Sequence, residues 1–187
     1  MQIDPKFLEV VHIERTRLEQ NSFPDFIENG MGQNYIVKCN GNAPEVKDLV
    51  RQVLLIVNHV YSKPKWPNLD EWLNLLPIEF ICNFVPEPTP EETDIYMKWW
   101  FSLSYKKKLQ HSQKKQKWSL GDWLAWMEPS ERLWFWWGAT EIGEKTKQDY
   151  FLLSINLLDD LYLTGALEVL FEYCGALSIE LYEPEQM

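Results

Sequence analysis

The residues able to do chemistry are few and scattered. The chain has three histidines, His12, His59 and His111, and three cysteines, Cys39, Cys82 and Cys174. Zinc chemistry or a thiolate–imidazole pair needs such groups to converge. The short spacings that announce convergence, H-E-x-x-H and C-x-x-C, do not occur. Adjacent Asp159 and Asp160 offer acid and base. They lie after an apolar run and before a helical pattern, where catalytic groups sit in open sheets but where turns and caps also sit. Gly30-Met31-Gly32 lacks the third glycine and the following helix of a phosphate-binding loop. The expectation is a protein without catalytic activity, metal or cofactor.

Charge is more telling than nucleophiles. The net charge is −10. Residues 105–117 nevertheless hold six lysines and no acid: Lys106, Lys107, Lys108, Lys114, Lys115 and Lys117. Tyr105 and Trp118 flank them, so the segment could neutralise phosphates and stack bases, or lie on a lipid surface with Trp99 and Trp100. A solvated helix end that offsets an acidic chain explains it equally. Residues 149–187 hold eight acids and no Lys or Arg. Asp159, Asp160, Glu168 and Glu172 could form a face for a basic partner, and Glu168 and Glu172 are four apart, on one side of a helix.

Eight of the ten tryptophans fall between Trp99 and Trp137, which places the centre of the fold there. Trp134, Trp136 and Trp137 follow Arg132, which could stack on a ring or bind a carboxylate. Side chains alternate along a strand, so Trp136 and Trp137 point opposite ways and one of them is expected outward as a contact residue. Such a cluster could also line a pocket.

Local signals indicate the elements. Asp4-Pro5 opens a helix with Phe7, Leu8, Val11 and Leu18 on one face. Ser22-Phe23-Pro24 opens a second that ends at Gly30. Asn34 to Cys39 reads as a strand. Pro44 starts the clearest helix, with an apolar stripe from Val46 to Tyr61. Short helices follow from Asn68 and from Ile78. Residues 86–90, Pro-Glu-Pro-Thr-Pro, form a rigid connector and a possible subdomain boundary. Thr89-Pro90-Glu91-Glu92 begins a helix with Ile95, Tyr96, Trp99 and Leu103 on its apolar face, and Ser119 with Asp122 caps another.

Leu133 to Ile142 and Tyr150 to Leu158 read as a β-hairpin, with helix as the alternative for Glu131 to Trp137. Thr164 caps a helix that Gly175 terminates, and Leu177 to Tyr182 is a last strand, expected parallel to its predecessor. Cys82 and Cys174 read as core.

The whole is an α+β protein of 187 residues in one domain, 1–187, its N-terminal and central helices packed on a small mixed sheet built mainly from the C-terminal third. No basic-then-apolar leader or 20-residue apolar run occurs. Few, odd and separate cysteines suit a reducing, cytoplasmic setting. The expected function is a protein-binding module of interaction or inhibitor/immunity type, with a protein partner or a second copy. The alternatives are nucleic-acid or phosphate binding through 106–117, and an enzyme built around a Trp-lined pocket.

Overall fold

A computed structural model describes residues 4–20, 31–112, 117–141, 148–159 and 163–182. Its elements are α1 (Pro5–Gln20), β1 (Met31–Lys38), α2 (Ala43–Tyr61), α3 (Leu69–Leu75), α4 (Ile78–Ile81), α5 (Pro90–Ser102), α6 (Tyr105–Ser112), α7 (Leu120–Trp126), β2 (Trp134–Glu141), β3 (Tyr150–Leu157), α8 (Gly165–Tyr173) and β4 (Ser178–Leu181). The fold is α+β. The helix expected over 22–30 lies outside the described residues.

Short-range chemistry sets most helix starts. Asn68 with Glu71, Thr89 with Glu92 and Ser119 with Asp122 each close a reciprocal capping box at α3, α5 and α7. These bonds satisfy amide groups that the first turn leaves open. α8 ends in a Schellman turn. The Ala176 N–H donates to the Phe171 carbonyl and the Gly175 N–H to the Glu172 carbonyl, with Gly175 at φ +102°. Its start differs from expectation: the Thr164 hydroxyl bonds the Glu168 carboxylate at 2.5 Å instead of a backbone N–H.

The sheet runs β2-β3-β1-β4. Every neighbouring pair is antiparallel. This corrects the mixed sheet. β3 and β4 do run the same way, but β1 lies between them and pairs with both, Tyr35 facing Leu153 on one side and Leu181 on the other. β4 is only four residues long and suits an edge, whereas eight-residue β1 can ladder on both sides. The hairpin reading of β2 and β3 holds, and the helix alternative for Glu131 to Trp137 does not.

The core is continuous. α2 buries Val46, Val50, Val53, Leu54, Val57, Val60 and Tyr61, each adding about 1.5–3 kcal/mol over an exposed position. α8 lays Phe171 against Trp136 and Phe151 of the sheet. α1 buries Phe7, Val11 and Leu18, with Phe7 edge-on to Tyr61 and Phe135. Leu8, expected on that face, is exposed. The tryptophan cluster is only partly core. Trp123, Trp134 and Trp136 are buried, while Trp99 and Trp126 are exposed and Trp100, Trp118 and Trp137 half-buried. Cys82 is exposed, a second correction, because it caps the four-residue α4 on the side of Glu79 rather than of Phe80.

Candidate functional site

β2 is an edge strand, and three of its backbone groups are occupied by side chains of the same chain. Arg132 Nε donates to the Trp134 carbonyl at 3.1 Å. The Trp136 N–H donates to Glu14 Oε1 at 2.5 Å. Arg17 Nη1 donates to the Trp137 carbonyl at 3.1 Å. An uncovered edge invites another strand, and α1 closes this one with polar side chains.

Glu14 can be buried because it has work at that edge. Its Oε1 also accepts Arg132 Nη2 at 2.6 Å, and Arg132 Nη1 donates to Asn58 Oδ1 at 3.2 Å. The guanidinium lies among the Tyr61, Trp134 and Phe135 rings. Burial lifts the Glu14 carboxyl above its usual range against the pull of Arg132 and the Trp136 N–H. Burial opposes the Arg132 charge, but Glu14 and Tyr61 hold it above its ordinary value. Glu14 Oε2 and Asn58 Nδ2 make no hydrogen bond among the described residues. The cluster ties α1, α2 and β2 together, and its side chains are sealed from solvent.

Sequence reasoning noted Arg132 and missed Glu14, the buried acid that Arg132 binds. The one available signal was position: Glu14 sits three residues past Val11 and four before Leu18, on the apolar face of α1.

Of the two residues expected to point opposite ways, Trp136 is buried and Trp137 is half-buried. Trp134 and Trp136 are core, where a partner does not reach them. Trp137 is the extra residue of a bulge between Trp136 and Gly138. Its ring lies 3.6 Å beneath the Arg17 guanidinium.

The acidic face is sparse. Asp159 and Glu168 are exposed and Glu172 half-buried, and Asp160 lies outside the described residues. Glu168 holds the Thr164 hydroxyl, and nearby Glu180 is paired with Lys38 at 2.7 Å. The Lys38 ammonium and the Ser178 hydroxyl hold the Glu180 carboxyl below its usual value.

A groove bordered by Trp126, Ser130, Glu131, Leu133, Trp134, Leu163 and Ala166 encloses about 250 Å³. Small-molecule sites run from roughly 300 to 1,000 Å³. A wider one of about 690 Å³ lies open along α1 and α2. Its charges are already engaged, Arg15 with Glu19, and Arg51 with Asp48 and the Leu18 carbonyl. Among the described residues no group of three or more His, Cys, Asp or Glu could hold a metal ion, and no helix is long and apolar enough to cross a membrane.

The segment between α4 and α7 has a different character. The Val85 N–H donates to the Trp118 carbonyl at 3.0 Å, and Val85 bridges to Ser119. Glu87 Oε1 accepts the Gly121 N–H at 2.7 Å. The chain therefore leaves the body at Val85 and returns to the same point, and α5 and α6 form an arm between those ends.

No residue of α5 is buried. Ile95 is 68% exposed, Phe101 69% and Tyr105, at the start of α6, 82%. Tyr96 and Met97 are exposed as well. Of the apolar face expected on α5, Ile95, Tyr96 and Trp99 are thus exposed and Leu103 is half-buried. Tyr96 stacks with Trp100, and Lys108 approaches Trp100 and Phe101 at 5.6 and 5.4 Å from the ring centres. Lys106, Lys107 and Lys117 are exposed, while Lys114 and Lys115 lie outside the described residues.

No family model, curated protein or solved structure matches the chain.

Proposed function

We propose that this chain is a protein-binding module and that its docking element is the α5–α6 arm. The observation that carries this is a helix rich in large apolar side chains and without one buried residue. Contiguous exposed apolar surface marks interaction sites, and aromatic residues and Met are enriched in their centres. No described residue of the arm belongs to the buried core, which is built from α1, α2, α3, α4, α7, α8 and the sheet. Three free thiols, two of them buried, support a reducing compartment such as the cytoplasm.

The test is affinity capture of the tagged chain from its own cells, with and without nuclease, beside the variant Ile95→Ser/Phe101→Ser. The expected result is a near-stoichiometric protein, a second copy included, that resists nuclease and is lost in the variant. Capture unchanged in the variant overturns the reading. Recovery of nucleic acid alone, abolished in Lys106→Gln/Lys107→Gln/Lys108→Gln, transfers the function to the lysine segment.

A further inference from the structure

We propose that the arm docks on a second copy of this chain, with the two α5 helices antiparallel about a two-fold axis. The inference rests on reading the arm as the docking element and adds the identity of its occupant.

The first argument is the order of charge. The start of α5 carries Glu91, Glu92 and Asp94, and the start of α6 carries Lys106, Lys107 and Lys108. The acids stand at the first turns of α5, and Lys108 stands at the Trp100 and Phe101 rings near its other end, with Ile95, Tyr96 and Met97 between. A sequence that reads acid, aromatic, base is complementary to its own reverse. An antiparallel pair brings each acidic end to the other copy's lysines and the aromatic centres to each other. A parallel pair would set acid on acid and base on base. Two-fold pairing is the closed solution for a self-complementary patch.

The second argument is where the apolar residues point. Successive helical residues are about 100° apart, so Ile95, Tyr96, Met97 and Phe101 occupy different sides of α5. From Ile95 to Leu103 only Lys98 and Ser102 are polar. A helix apolar on most of its circumference is ordinarily buried on more than one side. Here it stands exposed on an arm whose two ends are tied together at Val85 and Trp118, a geometry that leaves its length accessible to another arm.

The test is the mass of the full chain in solution by light scattering over a wide concentration range. The expected mass is about twice 22.3 kDa, falling to 22.3 kDa in Ile95→Ser/Phe101→Ser with an unchanged circular-dichroism spectrum. Charge supplies an independent arm of the test that leaves the Glu92 capping box intact. Glu91→Lys/Asp94→Lys and Lys106→Glu/Lys107→Glu should each weaken self-association by about tenfold or more. An equimolar mixture of the two should restore a mixed dimer.

A wild-type chain of 22.3 kDa at every concentration, or a mixture that fails to pair, overturns the second copy as occupant. A monomeric wild type that still loses a foreign protein partner on Ile95→Ser/Phe101→Ser also overturns it, and leaves the arm as a docking element. A monomer whose arm variant loses nothing overturns both.

Discussion

Arg132 Nη2 lies 2.6 Å from Glu14 Oε1, across 118 residues of chain, with both side chains out of solvent. The pair does two things at once. It neutralises two buried charges, and it occupies the outer N–H and C=O groups of the edge strand at Trp136 and Trp134.

Removing one partner should therefore cost more than removing both. Arg132→Met alone leaves a buried carboxylate and is expected to lose about 3–5 kcal/mol. Glu14→Leu/Arg132→Met should fall well short of the summed single losses. It should not reach wild type, because each backbone group orphaned at Trp134 and Trp136 costs about 1–3 kcal/mol. Urea unfolding of the four species checks this, and strict additivity would contradict the pairing.

Alkali should destabilise the fold before it damages the chain. Burial, aided by Asp149, pushes the Cys39 thiol up from 9.0 to about 11. Burial pushes the Tyr61 phenol up from 10.0 to about 12, with Arg132 opposing it. Both groups stay protonated in the folded chain where the unfolded chain has begun to ionise. The folded state then binds more protons, so stability falls as pH rises from about 9 towards 12. The melting temperature should drop across that window, and Tyr61→Phe should flatten the upper part of the slope.

The thiols should separate by accessibility. Cys82 is exposed, whereas Cys39 and Cys174 are buried, and burial holds the Cys174 thiol far above its usual value. A maleimide at neutral pH should label one cysteine per chain, at Cys82, and all three only after denaturation. Fast labelling of Cys174 would contradict the packing of α8.

Gly175→Ala tests the end of α8. A Cβ there would meet Asn42 Nδ2 at 3.3 Å and Val46 Cγ2 at 3.5 Å, so the Asn42 side chain would have to give by a few tenths of an ångström. The cost lies in φ +102°, which L residues avoid, and about 1–2 kcal/mol is expected. For a chain of this size each kcal/mol lowers the melting temperature by about 2–4 °C.

At concentrations where the wild-type chain is monomeric, the arm variant Ile95→Ser/Phe101→Ser should leave folding stability within about 0.5 kcal/mol, as surface substitutions do. A larger loss would mean that α5 supports the core. Thermal and urea unfolding of the variant decide between the two.

Much of this protein is written in short-range signals. The boxes at Asn68–Glu71, Thr89–Glu92 and Ser119–Asp122, the stripe from Val46 to Tyr61 and the stop at Gly175 each act within a few residues, so the sequence alone determines those helices. The alternation in β1 and the hairpin of β2 and β3 were legible for the same reason. Other features depend on partners distant in the chain. Nothing near Tyr35 says that β1 inserts between β3 and β4, since its alternation marks a half-buried strand and not its neighbours. Nothing near Trp137 says that Arg17 will cover it, or near Arg132 that Glu14 waits across 118 residues. The tryptophans between Trp99 and Trp137 looked alike because composition records how much apolar surface a residue can bury. Only the tertiary structure decided which of them the body of the fold had room to cover, and it left α5 outside.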